Sequence, residues 1–246
     1  LGSHYNANSL GIAYIASYLN SKGHNAWLYN ADHVSDKNYG NLKKLFENFS
    51  NYQSYFKDIE NALWHEVKDK ILSFKPEWVG YTSYTANISA IKIISEKVRA
   101  ANPNIKQVIG GVHATLDKNI LKTLTSVDYS IQREGEEAMT ALVENKDPKN
   151  IPGVVYRAKD TLINNGIAPV IKDIDSLPMP ERKKFWGISE EEKKNVDVSY
   201  INTIRGCPYK CTYCASPFHW DRKTTRLRTP ESVIEEMIHL KEHYWH

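Results

Sequence analysis

The first 150 residues of this sequence predict a doubly wound, Rossmann-like α/β fold, on three observations. Strand-like and helix-like segments alternate from Trp78 to Glu144, which argues for a parallel sheet with helices on both faces. A glycine pair, Gly110-Gly111, closes one of those strands, where the ligands of such folds sit. Hydrophobic residues make up 41% and charged residues 25%, the balance of a globular protein with a packed core.

Taken in order, Ser9 to Lys22 reads as a helix. Ile12, Ile15, Ala16 and Leu19 recur at helical spacing, and Gly23 can close it. Ala26 to Tyr29 reads as a strand. Asn41 to Phe74 reads as helix in two pieces, with Ile59, Leu63, Val67 and Ile71 as one stripe. Trp78 to Ser83 is a strand, and Ile88 to Ala101 a helix ended by Asn102-Pro103. Gln107 to Ile109 is a strand, Asn119 to Leu124 a short helix, Val127 to Ile131 a strand and Glu136 to Glu144 a helix. Gly153 to Arg157 and Thr161 to Asn164 suit a β-hairpin. Asp173 to Asn195 holds Pro178, Pro180 and many charges, and reads as a linker.

Val198 to Arg205 is then a fresh strand. Thr229-Pro230 opens a helix, with Thr as cap and Pro at the first helical position. Val233, Met237 and Leu240 give that helix an apolar face. The expected layout is a Rossmann-like domain over 1–150, a hairpin and linker over 151–197, and a further α/β unit over 198–246. No strand precedes the first helix, and one strand with one helix cannot bury a core alone. Residues are therefore expected to be missing at both ends.

The net charge of +3 implies no strong polyanion partner, so no nucleic acid is expected. No apolar run reaches the roughly 18 residues that span a membrane, and no signal peptide opens the chain. A cytoplasmic location is expected.

All three cysteines fall in Cys207-Pro-Tyr-Lys-Cys211-Thr-Tyr-Cys214. A disulfide framework needs pairs spread along the chain; clustered thiols more often hold a metal. Thiolates are soft ligands for iron–sulfur clusters or zinc. A cubane cluster has four irons, normally on four cysteines, so three cysteines leave one iron open to a further ligand. Gly206 and Pro208 suit a tight loop around such a cluster. The alternative is zinc held by the three cysteines and His219.

The segment Ile204-Arg205-Gly206-Cys207-Pro208-Tyr209-Lys210-Cys211-Thr212-Tyr213-Cys214 resembles the signature of the radical SAM superfamily. The resemblance implies a [4Fe-4S] cluster on Cys207, Cys211 and Cys214, with S-adenosylmethionine chelated by the open iron. It places Gly206 and Tyr213 at that molecule, Tyr213 near the adenine. It also implies that residue 198 begins a partial (β/α)6 barrel, and that one electron from the cluster yields a 5′-deoxyadenosyl radical.

Upstream, about residues 8 to 145 resemble the cobalamin-binding domain of one radical SAM subgroup. The likeness rests on Leu10-Gly11-Ile12-Ala13-Tyr14-Ile15-Ala16, Val79-Gly80-Tyr81-Thr82-Ser83, Gly110-Gly111-Val112-His113-Ala114-Thr115 and Glu134-Gly135-Glu136. Ile151-Pro152-Gly153-Val154 and Asp175-Ser176-Leu177-Pro178 continue the pattern, as do Arg226, Arg228, Thr229-Pro230-Glu231 and Glu235. It implies cobalamin contacts at Thr82, Ser83, Thr85, Gly110, Gly111, His113, Gly135 and Glu136. Glycines let backbone approach a bulky ligand, hydroxyls suit the mouth of a sheet, and an acid is favoured at a helix start.

No Asp-x-His-x-x-Gly occurs, so a cobalt-ligating histidine from that motif is not expected. No cysteine precedes residue 207, unlike the radical SAM methylthiotransferases with a second cluster. The function implied is cobalamin-dependent methylation of an unactivated carbon. The alternatives are non-methylating oxidation, cyclisation or rearrangement, or a cofactor-binding fragment without activity. The implied partners are a small-molecule or peptide substrate and an electron donor such as flavodoxin or ferredoxin. Arg222, Arg226 and Arg228 read as a solvated loop, with a SAM carboxylate as the other possibility.

Overall fold

A computed structural model describes residues 9–31, 49–184, 200–216 and 225–243. The first helix, α1, runs Leu10–Ser21 and buries Ala13, Tyr14, Ala16 and Leu19. Gly23 follows it at φ +87°, the left-handed conformation that commonly ends a helix. The strand expected over Ala26 to Tyr29 does not join the sheet. Leu28 instead donates its N–H to the Lys184 carbonyl at 2.8 Å, so this stretch pairs with the segment expected to be a linker.

The long helical region breaks in two, α2 at Phe49–Lys57 and α3 at Ala62–Ser73. Asn61 caps α3, its side chain accepting from the Leu63 N–H. That cap puts Ile59 outside the helix and 56% exposed, off the expected stripe. Residues 41–48 of the expected helix lie outside the described residues.

Then come β1 (Trp78–Thr82), α4 (Ile88–Ala101), β2 (Lys106–Gly110), α5 (Val112–Leu116), α6 (Ile120–Thr123), β3 (Tyr129–Ile131) and α7 (Glu136–Val143). The hairpin strands β4 (Val154–Ala158) and β5 (Thr161–Asn164) follow. The sheet order is β1-β2-β3-β4-β5. The first three strands are parallel, and the hairpin joins the β3 edge antiparallel. The fold is thus the expected α/β class, with a mixed rather than wholly parallel sheet.

Each face of the sheet has its own core. On one, Val108 and Ile131 pack with Leu19 of α1 and Ala138, Met139 and Leu142 of α7. On the other, Ile109 and Val155 pack with Ile91, Ala114, Ile120, Leu121 and Leu124. An outer layer sets Trp64 and Val67 of α3 on Ile94 and Val98 of α4. Helices on both faces leave the carboxyl ends of β1 to β3 as the open edge.

The C-terminal region is smaller. Strand β6 (Ile204–Arg205) pairs antiparallel with β7 (Arg226–Leu227), and α8 runs Pro230–His243. The strand expected over Val198 to Arg205 is two residues long, and 198 and 199 lie outside the described residues. The expected apolar face of α8 also differs. Leu240 and Glu236 are buried, whereas Met237 is 46% exposed.

Gly111 is fixed by the approach of β1. Its φ is +98°, and an added Cβ would sit 2.8 Å from the Ser83 nitrogen and 2.9 Å from the Ser83 oxygen. The same atom on Gly110 would meet only the Ile131 oxygen, at 3.8 Å. Gly111→Ala is therefore expected to cost about 1–3 kcal/mol in backbone strain alone, with further loss from the clash, while Gly110→Ala stays within about 1 kcal/mol. Thermal unfolding of the two variants checks this ranking.

Candidate functional site

At the open edge, Ser83 turns inward. It is fully buried, its hydroxyl donates to the Gly110 carbonyl at 2.7 Å and accepts from the Ala114 N–H at 3.1 Å. Its backbone donates to the Gly110 carbonyl and accepts from the His113 N–H. Ser83 and Gly111 together staple the ends of β1 and β2. Thr115 continues the floor, its hydroxyl donating to the Gly111 carbonyl and accepting from the Arg133 N–H.

The groups that remain accessible are fewer. Thr82 is half-buried and Thr85 is exposed. The Thr85 hydroxyl lies 3.0 Å from His113 Nδ1, and the ring is half-buried. Gly110 is half-buried beside them. Gly135 serves packing: an added Cβ would lie 2.9 Å from Ile15 Cδ1, so the glycine lets α7 close on α1. Just beyond β3, Gln132 Nε2 and Arg133 Nε are buried without a hydrogen-bond partner among the described residues. Unpartnered buried donors favour a polar ligand.

The loop after β6 carries the three cysteines, all with free thiols. Cys207 and Cys214 are half-buried and Cys211 is exposed. Gly206 enters the loop at φ +98°, which favours glycine. The Cys214 N–H donates to the Cys211 carbonyl, closing a turn. Tyr213 is 91% exposed, its ring face uncovered. Among the described residues no three His, Cys, Asp or Glu side chains are gathered to hold a metal ion. The donor set, three thiols in one loop, is that of a cluster with one open iron. His219, the fourth ligand of the zinc alternative, lies outside the described residues.

Glu136, expected at the cofactor, faces Arg205 instead. Arg205 donates to Glu134 Oε1 at 2.9 Å and to Glu136 Oε1 at 2.7 Å. Its guanidinium lies over the Tyr14 ring, 4.9 Å from the centroid. Arg226 donates to both oxygens of Glu134 at 2.9 Å and to the Ile171 carbonyl. The Ile171 N–H donates back to Glu134 at 2.7 Å. Both carboxylates and both guanidinia are buried.

A second buried network lies alongside. Glu236, fully buried on α8, takes Arg182 on one oxygen and Arg228 on the other. Arg182 also donates to the Tyr200 carbonyl, and Arg228 to Asp175. Asp175 further accepts from the Thr229 N–H at 2.8 Å, at the start of α8. Arg226 and Arg228 are thus paired inside the protein rather than in a solvated loop; Arg222 lies outside the described residues.

The expected linker is, over its first part, a packed strap. Glu181 donates its N–H to the Ala13 carbonyl, and the Ser17 hydroxyl donates to the Met179 carbonyl. Glu181 also accepts from Asn20 Nδ2. Sequence reasoning missed Arg182, Glu181 and Glu236, whose only signal was an acid or a base among many.

Burial alone would raise the Glu134 carboxyl, but hydrogen bonds from Arg226, Arg205 and the Ile171 N–H outweigh it and hold the group below its usual value of 4.5. A carboxyl depressed in the folded state adds stability above its unfolded value, and loses it as pH falls through the folded one. The urea midpoint is expected to decline as pH drops below 4.5, and Glu134→Gln to remove part of that decline. A pH series of urea unfolding curves on both proteins measures it.

Residues 3–143, more than half of the chain, match the B12 binding domain family, and residues 201–246 match the radical SAM superfamily. The anaerobic magnesium-protoporphyrin IX monomethyl ester cyclase of Rubrivivax gelatinosus is 31% identical, over 72% of this chain and 34% of that protein. An uncharacterized methyltransferase of Pyrococcus horikoshii is 26% identical, over 75% of this chain and 41% of that protein. The chain thus spans 34% and 41% of these two relatives' lengths. The radical S-adenosylmethionine methyltransferase TsrM from Kitasatospora setae, with cobalamin and a [4Fe-4S] cluster bound, superposes with a TM-score of 0.63 at 16% identity, over 97% of this chain and 44% of that one. The cobalamin-dependent radical enzyme OxsB gives 0.65 at 13% identity, over 97% and 30%. These two likenesses show a shared fold. With a B12-binding domain leading into radical SAM sequence, the chain belongs to the cobalamin-binding radical SAM enzymes, whose cofactors are a [4Fe-4S] cluster, S-adenosylmethionine and cobalamin.

Proposed function

We propose that the whole protein is a cobalamin-dependent radical SAM methyltransferase acting on an unactivated carbon of a small molecule or peptide. One observation carries the reading. The cysteine loop is joined through Arg205 to the Glu134-Gly135-Glu136 turn, beside the open edge of the B12-type sheet. That junction supports the two cofactors working on one substrate. When bound, the cluster supplies the electron that cleaves S-adenosylmethionine, and cobalamin supplies the methyl group.

The chain's own residues have separate tasks. Cys207, Cys211 and Cys214 hold three irons as thiolates. Gly206 gives backbone room for S-adenosylmethionine, and Tyr213 offers its exposed ring to the adenine. Thr82, Thr85 and His113 contact cobalamin from the rim, with Gly110 admitting it closely. Ser83, Gly111, Gly135 and Glu136 shape the floor beneath. An electron donor of the flavodoxin or ferredoxin kind would meet the loop, and a cytoplasmic setting suits free thiols. No described helix is long and apolar enough to cross a membrane. The domains follow as 1–150, 151–197 and 198–246.

A second reading, oxidative ring formation, is favoured by cyclase relatives at 31% and 28% identity. Transfer of isotope-labelled methyl from S-adenosylmethionine to product separates the two; a cyclised product without label would overturn methylation. Each of Cys207→Ala, Cys211→Ala and Cys214→Ala is expected to abolish the cubane signal in electron paramagnetic resonance, because two thiolates hold a cubane poorly. Normal iron in any of them, or zinc in the parent protein, removes the cluster assignment. Thr85→Val and His113→Ala are each expected to weaken cobalamin binding about fivefold, the worth of one neutral hydrogen bond, with unfolding temperature unchanged. Titration of cobalamin absorbance measures this.

A further inference from the structure

The cysteine loop is short of support from its own region. Strands β6 and β7 contribute two residues each, and Ile204 and Leu227, which face each other across them, are 39% and 71% exposed. What fixes the entry to the loop is Arg205, two residues before Cys207. It is 7% exposed and held from three sides, by Glu134, Glu136 and the Tyr14 ring. A planar guanidinium held by two carboxylates and a ring face has little freedom to shift or turn. Gly206, the only residue between Arg205 and Cys207, is in the left-handed region, so the chain direction into Cys207 follows from where Arg205 lies.

On the other side, Glu134 is held by Arg226 and by the Ile171 N–H. Glu136 opens α7, and Gly135 between them is pressed against Ile15. The turn thus belongs to the B12-type domain, through α7 and the Gly135–Ile15 approach, and is tied to the radical SAM region by Arg226 as well as by Arg205.

We propose that Glu134 and Glu136 are positioning residues for the iron–sulfur cluster. They act through Arg205, so the cobalamin domain sets the placement of Cys207 and, with it, of S-adenosylmethionine. The proposal rests on the cluster assignment above. It gives the Glu-Gly-Glu turn a role in the other cofactor's site, and predicts that damage to the turn is read at the cluster.

The test uses the full-length protein, reconstituted anaerobically, as parent, Glu136→Gln and Arg205→Lys. Arg205→Lys keeps the charge but cannot hold both carboxylates in a fork. The control is Asp128→Asn, which breaks the 2.6 Å pair with Arg99 at the opposite end of β3. Three quantities are read: bound iron, cobalamin affinity, and the SAM concentration that half-converts the resonance spectrum of the reduced cluster. In Glu136→Gln and Arg205→Lys the half-conversion concentration is expected to rise about tenfold, as loss of one charge-assisted hydrogen bond implies, or iron to be lost outright. In Arg205→Lys, cobalamin affinity and helix content stay near parental values, and the control matches the parent in all three. Parental behaviour of both variants at the cluster overturns the inference alone, as does an equal change in the control. A parent protein whose cluster does not respond to SAM overturns the cluster reading and the inference with it.

Discussion

Two carboxylates shut away from water, Glu134 and Glu136, set the terms for much of this structure. A buried charge left unpaired is severely unfavourable, so each must meet a cation with defined geometry. The cations come from β6 and β7, 69 to 92 residues further along the chain. Replacing such pairs with apolar groups is often neutral for stability, so their contribution here is better read as placement. An apolar contact tolerates sliding by an ångström; two guanidinia locked on two carboxylates do not. The B12-type domain and the cysteine loop are thereby held in one register.

The second network applies the same logic to α8. Glu236 has no exposure and is neutralised by Arg182 from the strap and Arg228 from beyond β7. Leu240 is the only fully buried apolar side chain described beyond residue 200. Along α8, Ile234, Met237 and Ile238 are about half exposed. With so little apolar burial, directional polar bonds carry the attachment. Tyr14 of α1 lies between the networks: Arg205 covers its ring, and burial followed by the nearby Glu236 charge raises its hydroxyl pKa. Helix α1 is thus packed against the sheet through Leu19 and against the C-terminal region through Tyr14.

Much of this was legible in the sequence where signals are local. The α4 boundaries follow from Ile91, Ile94 and Val98 at helical spacing and from Asn102-Pro103. The cysteine spacing and Gly206 marked the loop. The hairpin was visible, but its docking on β3 was not, because register across 25 residues depends on partners no local pattern names. Ala26 to Tyr29 has strand composition, yet the partner for Leu28 is Lys184, 156 residues away, and the sheet offers it no edge. The strap read as a linker for the same reason. Its prolines and charges look solvated until Asn20, Ala13 and Glu236 are seen to receive them. Long-range ion pairs leave no trace in spacing, so Arg226 and Arg228 read as a solvated loop, and nothing marked partners for Arg205 or Arg182.

The expected cofactor residues divide along one physical line. A parallel sheet ends in backbone groups that lack a next strand residue to bond, and at this edge Ser83 and Thr115 satisfy them. Residues that look like ligand contacts are therefore consumed by the edge itself. Gly111 is required by the Ser83 backbone before any ligand arrives. On the proposed reading, recognition is left to Thr82 and the Thr85–His113 pair at the rim, to the backbone at Gly110, and to the unpartnered Gln132 and Arg133 donors near the end of β3. A site with so few polar groups must select a large ligand mainly by shape. Shape is what a rigid edge provides, and rigidity is what the buried hydroxyls and paired charges supply.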